Sequence, residues 1–158
     1  LEQIKKTYYA AEAADKGVYE LMISEAEKVL NSQLVIELDF MNVQAKIGGI
    51  RKNNHRGEIF RAALEAMAQK TKNSLQILEK AGGFEAESLL VVGGGSKNKL
   101  WNQLRANHLN IPVKTIQIKE TTVLGAALFA FYGMGIYQSP QEARENVKDQ
   151  GYIFMPNK

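Results

Sequence analysis

The sequence predicts an α/β layered domain, and three observations carry that prediction. From about residue 55 onward, helical and strand patterns follow one another in the order α-β-α-β-α-α. "SLLVV" (88–92) is uniformly apolar, as a strand buried on both faces should be. It runs straight into Gly93, Gly94 and Gly95 and then a helix-like stretch, the kind of strand-to-helix handover beside which α/β folds bind ligands.

Taken in order, residues 8–30 are rich in Ala, Glu and Lys and read as helix, with helical character reaching back to the second residue. A chain that opens without Met and inside a helix is expected to be a piece of a longer one. "LVIELDF" (34–40) alternates, placing Leu34, Ile36, Leu38 and Phe40 on one face of a strand. "AKIGGI" (45–50) predicts a second short strand, bent or bulged at Gly48 and Gly49. Phe60, Leu64, Met67, Thr71, Leu75 and Leu78 are spaced by three and four, one face of a helix from about 55 to 80. Gly82 and Gly83 close it as C-cap residues.

Past the glycines, Leu100, Trp101, Leu104 and His108 line one face of a helix that Asn110 and Pro112 end. "VKTIQI" (113–118) is a further strand. "TTVLGAALFAFYG" (121–133) is apolar nearly all round and predicts a buried core helix. The charge-free stretch from Thr121 to Gln141 is too short in its apolar part, and too broken by Gly133, Gly135 and Pro140, to span a membrane. In "SPQE" (139–142), Ser139 should accept from the Glu142 amide while Glu142 reaches back, a capping box that opens a helix to about Lys148.

Composition narrows the function classes. With 158 residues, 45% hydrophobic and 23% charged, the chain can build one domain with a real core. The net charge of +3 comes from scattered lysines, not from the stripe a nucleic-acid partner needs. There is no cysteine, which removes disulfides and thiolate sites and fits a cytoplasmic location. His55 and His108 are the only histidines and stand far apart, which argues against a His-based metal cluster.

The glycines admit two readings: a tight turn only, or a place where a ligand touches backbone because no Cβ intervenes. Ser96 is expected to cap the following helix, whose first amides favour an anion or a polar ligand edge. A phosphate-binding P-loop would need Gly-Lys-Ser/Thr, which is missing. A dinucleotide fingerprint would need a third glycine where Asn98 stands, and an acid at the end of the next strand, whereas Glu120 comes later. Asn98 instead offers a side-chain amide to a purine or ribose, which favours a nucleoside pocket. Trp101 is expected in the core, His108 packed or on the surface, and Lys97 and Lys99 on a solvated face.

Three segments resemble the FGGY carbohydrate kinases, of the actin-like, sugar-kinase and Hsp70 ATPase superfamily. "LLVVGGGSKN" is similar to their adenosine-binding segment. "AKIGGIRKNNHRGEIFRAALE" (45–65) is similar to their C-terminal signature, with Ala45, Ile47 and Gly49, then Glu58 and Ile59, then Ala62 to Glu65. "ETTVLGAALFAF" (120–131) resembles their last connecting helix, where Gly125 allows close packing. The segments stand in the family's order and cover roughly residues 45–150.

The resemblance implies a partial actin-like, ribonuclease H-like ATPase domain, the C-terminal part of the second domain of a sugar kinase. Residues 1–158 would form one partial domain, with 1–33 a helical lead-in and 34–158 the adenosine-binding α/β core. The implied activity is transfer of the ATP γ-phosphoryl group to a ketose hydroxyl with Mg2+, the sugar held mainly through the family's N-terminal domain. The implied adenosine-site residues are Gly93, Gly94, Gly95, Ser96 and Asn98. Asp15, Asp39 and Asp149 lie in no motif of the family's general base, so no catalytic residue and no Mg2+ ligand is assigned. Arg56 and Glu65 fall in the signature, but capping and a surface ion pair account for them. The expected partners are an adenine nucleotide and a sugar, with no nucleic acid and no membrane. Self-association is expected through an uncovered sheet edge. Two other readings stay open: a dinucleotide-binding module that would take NAD, and a non-catalytic actin-like module that would form filaments.

Overall fold

The computed structural model describes residues 1–29, 33–39, 44–118, 120–147 and 151–157. Two helices lead in, α1 (Glu2–Tyr8) and α2 (Val18–Glu27). The continuous helix expected over 8–30 is thus interrupted from Tyr9 to Gly17, and Leu30 lies outside the described residues. Asp15, Lys16 and Gly17 supply the turn chemistry, and Tyr9 turns inward, fully buried, its hydroxyl donating to Glu25 Oε2 at 2.8 Å. In α2, Val18, Met22 and Ala26 are buried, a stripe at helical spacing.

The strands β1 (Val35–Asp39) and β2 (Gln44–Gly48) form an antiparallel hairpin, with Val35 opposite Gly48 and Asp39 opposite Gln44. The predicted alternation holds: Leu34 and Ile36 are buried and Leu38 half-buried, while Phe40 lies outside the described residues. Gly49 turns at φ +77, and a side chain there would strike the Gln33 carbonyl.

The helix α3 (Arg56–Gly82) runs 27 residues, about 40 Å. His55 caps it: its Nδ1 accepts from the Gly57 amide at 3.1 Å, and Glu58 accepts from the His55 amide at 3.1 Å. Gly83 ends the helix in the left-handed region at φ 65, and Gly82 is its last helical residue. Phe60 and Leu64 are fully buried against Tyr9, Met22 and Leu104. The same face continues past its cover, so that Leu78 is 60% exposed. A second cluster joins Ile59, Ala62 and Ala63 to Leu34 and Ile36 of the hairpin. At Gly57 a Cβ would sit 2.8 Å from the Glu25 carbonyl, so α2 and α3 meet backbone to backbone.

A parallel β-α-β unit follows: β3 (Leu89–Val91), α4 (Lys99–Leu109) and β4 (Val113–Thr115). Asn110, at φ 57, closes α4 in the left-handed region, as its sequence position predicts. A last strand, β5 (Ile153–Phe154), runs antiparallel to β4, so the sheet order is β3-β4-β5. The expectation that "SLLVV" is buried on both faces is corrected: Leu90 is 51% exposed. Its strand pairs only with β4, and the described elements leave its outer face open. The strand expected over 113–118 is paired only over Val113–Thr115.

The helix α5 (Thr121–Gly133) forms where predicted, but not as a core helix: none of its residues is buried. Its neighbour is α6 (Pro140–Glu145), which opens with Ser139 accepting from the Glu142 amide at 3.1 Å. Glu142 accepts from the Gln138 amide at 2.6 Å, one residue earlier than the expected box. The helix ends at Glu145, and Lys148 lies outside the described residues. Among the described residues, no helix is long and apolar enough to cross a membrane.

Candidate functional site

The three glycines do three different jobs. Gly93 sits at φ 81, ψ −165, a region essentially closed to residues with a Cβ. It starts a 3-10 turn over Gly94–Lys97. Gly94 lines an open groove, and a Cβ there would meet nothing within 4 Å. Gly95 faces the other way: a Cβ there would stand 2.9 Å from Cζ3 of Trp101.

Ser96 is not the helix cap that its position suggested. Its hydroxyl donates to the Gly93 carbonyl at 2.7 Å, tightening the turn. Asn98 is the cap, its Oδ1 accepting from the Trp101 amide at 3.0 Å. The Asn98 side-chain amide was expected to face a purine or ribose, and its oxygen is instead engaged by α4.

The groove has a volume of about 550 Å³ and is lined by three segments: the turn through Gly93, Gly94 and Ser96, the end of β4 with the residues that follow it (115–118 and Glu120), and Tyr152 and Phe154 of the tail. Lys97 and Lys99, both exposed as expected for a solvated face, also line it. The Lys99 ammonium stands 5.2 Å from the centre of the Tyr152 ring. Of the five residues singled out for an adenosine, Gly93, Gly94 and Ser96 thus reach the groove. Gly95 and Asn98 support it from behind.

Behind the turn stands a buried polar relay. Asn102 is 0% exposed; its Nδ2 donates to the Ser96 carbonyl at 2.8 Å, and its Oδ1 accepts from Arg105 Nη1 at 2.9 Å. The Arg105 guanidinium lies 3.5 Å from the centre of the Trp101 ring. Burial pushes its pKa down to about 10. Trp101 packs against the core as expected, with its Nε1 buried and unpaired. His108 is half-buried beside Gln69, 3.2 Å from Nδ1 to Oε1.

A second charged cluster joins the lead-in helices to α3. Arg56 pairs with Glu25 at 2.8 Å and Glu12 at 2.9 Å, and its guanidinium lies 4.3 Å from the centre of the Tyr9 ring. Hydrogen bonds from Arg56 hold the Glu25 carboxyl below its ordinary range, and those carboxylates raise Arg56 in return. Burial, then the Glu25 hydrogen bond, raises the Tyr9 hydroxyl. Glu65 pairs with Arg61 at 2.9 Å. Among the described residues, no group of three or more His, Cys, Asp or Glu is placed to hold a metal ion.

Sequence reasoning missed Asn102, Arg105, Tyr152 and Phe154. Asn102 stands one turn beyond Asn98, beside the apolar stripe, and Arg105 one turn beyond Trp101, spacings at which side chains meet. The tail strand is two residues long, too short for alternation to reveal.

The fold is that of part of an actin-like, ribonuclease H-like ATPase domain. The chain superposes on a xylulose kinase from Rhodospirillum rubrum with a TM-score of 0.79 at 21% identity, covering 98% of this chain and 32% of that one. It superposes on Plasmodium falciparum glycerol kinase, solved with ADP, with a TM-score of 0.74 at 23% identity, covering 93% and 33%. The C-terminal domain of the FGGY family of carbohydrate kinases matches residues 30–134, and the chain belongs to that family. The L-fuculokinase of Escherichia coli is 42% identical over 159 residues, which span 99% of this chain and 33% of that protein. The chain thus spans about a third of the length of the curated relatives it matches.

Proposed function

We propose that the chain is the nucleotide-binding C-terminal part of a cytoplasmic sugar kinase, which transfers the γ-phosphoryl group of ATP to L-fuculose and forms L-fuculose 1-phosphate. The observation that carries the nucleotide reading is the Gly93–Gly94–Ser96 turn walling a groove at the carboxyl end of parallel β3 and β4. The named relative at 42% identity supports the sugar, ahead of a related ketose such as L-rhamnulose. The chain's own part is to seat the adenosine end: bare backbone at Gly94 admits a flat base, and Lys97 and Lys99 favour an anionic ligand. No phosphoryl-transfer step and no Mg2+ ligand is assigned to its residues.

Gly94→Val in the complete kinase tests this by calorimetry with ADP. The side chain has room in the unliganded groove, so the fold is expected to hold while ADP affinity drops at least about tenfold. Gly95→Val, which strikes Trp101, is expected to cost stability instead. A folded Gly94→Val enzyme with unchanged ADP affinity overturns the nucleotide reading, and NAD binding in its place would favour the dinucleotide alternative.

A further inference from the structure

We infer that Asn102 is a positioning residue for the nucleotide: it sets the glycine turn through the Ser96 carbonyl, with Arg105 and Trp101 fixing Asn102 in turn. The inference rests on the nucleotide reading of the groove. Asn102 does not itself line the groove, yet it spends both ends of its amide behind a residue that does. Its nitrogen donates to the Ser96 carbonyl at 2.8 Å, and its oxygen accepts from Arg105 at 2.9 Å.

Both partners are themselves constrained. Ser96 sits in the turn whose Gly93 and Gly94 line the groove. Arg105, only 8% exposed, stands over the Trp101 ring at 3.5 Å from its centre, and Trp101 is the residue against which Gly95 packs. The relay therefore closes a loop: Ser96 to Asn102, to Arg105, to Trp101, to Gly95, the residue before Ser96. A 3-10 turn has weak hydrogen bonds of its own, so its shape depends on such outside anchors. An asparagine here reads the turn's backbone, whereas an apolar residue would serve a merely structural core position as well.

Two substitutions in the complete kinase separate these roles. Asn102→Ala removes both hydrogen bonds in a helix that favours alanine. Asn102→Asp keeps an acceptor for Arg105, as an ion pair, but can no longer donate to the Ser96 carbonyl. Both are expected to weaken ADP binding and raise KM for ATP about tenfold, the scale of one lost buried hydrogen bond, with KM for the sugar unchanged. Gly94→Val runs alongside as the control for the groove.

Wild-type KM for ATP in a folded Asn102→Asp enzyme, while Gly94→Val is impaired, overturns the positioning role and leaves the nucleotide reading standing. Unimpaired ADP binding in Gly94→Val overturns that reading itself. Equal losses for ATP and sugar, or loss of fold in both Asn102 variants, also overturn the inference, because Asn102 would then hold the domain and not the turn.

Discussion

Two helices of this chain are rich in apolar residues and meet opposite fates. The first half of α3 drives Phe60 and Leu64 to full burial, under α2 on one side and α4 on another. In α5, almost every residue is apolar, yet none is buried, and Phe129 stands 65% exposed. The difference is not in hydrophobicity, since α5 has the more apolar sequence. It lies in what each helix is given to meet. The apolar face of α3 finds Tyr9, Met22 and Leu104, and charged Arg56 ties its start to Glu25 and Glu12. Apolar area stabilises only when a partner removes it from water.

The sharpest way to break this comparison is a matched pair of truncations. Phe60→Ala is expected to cost about 3–5 kcal/mol, because it leaves a cavity in a filled core. Phe129→Ala should stay within about 0.5 kcal/mol, because that ring already lies largely in water. Urea midpoints compare the two directly, and similar losses at both positions would mean that α5 is covered in solution.

A smaller effect is expected at the charged tie. Arg56→Ala leaves Glu25 and Glu12 facing each other across the gap and strips the cation from Tyr9. At side-chain exposures of 30%, 13% and 29% for Arg56, Glu25 and Glu12, the loss should be about 1–2 kcal/mol, between the surface and buried limits. A neutral outcome would show that apolar packing alone holds α2 on α3.

The smallest effect is in pH dependence. Arg56 holds the Glu25 carboxyl below its ordinary value of 4.5. A depressed carboxyl gives stability that is present above that value and is lost as pH falls through it toward the depressed one. Glu25→Gln has no such proton to take up, so its stability should decline less steeply in acid than the wild type's. Parallel curves below pH 4.5 would remove Glu25 from the tie.

How far the sequence could be read follows the same division. The strands β1 and β2, α3 with its glycine cap, and α4 with its asparagine cap rest on local rules: alternation, helical spacing, left-handed residues at helix ends. These elements are found where predicted, while the pairing of β1 with β2 was not read from sequence. The interruption after Tyr8 was hidden because Ala, Glu and Lys favour helix at every position between Tyr9 and Gly17 that they occupy, which masks the turn residues Asp15 and Gly17 and says nothing of the burial of Tyr9. The burial of β3 and α5 was misread because an apolar run states what an element can bury, not what lies against it. The place of Gly93, Gly94 and Ser96 after a strand was legible from position alone, and all three line the groove. The division of labour among the glycines was not, since the contact of Gly95 with Trp101 crosses six residues of turn and helix. Asn102 escaped because its helical neighbours Asn98, Lys99 and Arg105 are polar, so its position reads as a surface one.

The helix α4 also carries the chain's tail. Gln103 donates to the Met155 carbonyl at 2.7 Å, Asn107 accepts from the Asn157 amide at 2.9 Å, and the two side chains bond each other at 2.9 Å. The glycine turn hangs from Asn102 on the same helix, one position away. Two segments that lie about sixty residues apart in sequence are therefore mounted on a single beam. In mechanical terms, the gauge between turn and tail is set on α4, so a change in that helix's own geometry would reach both at once.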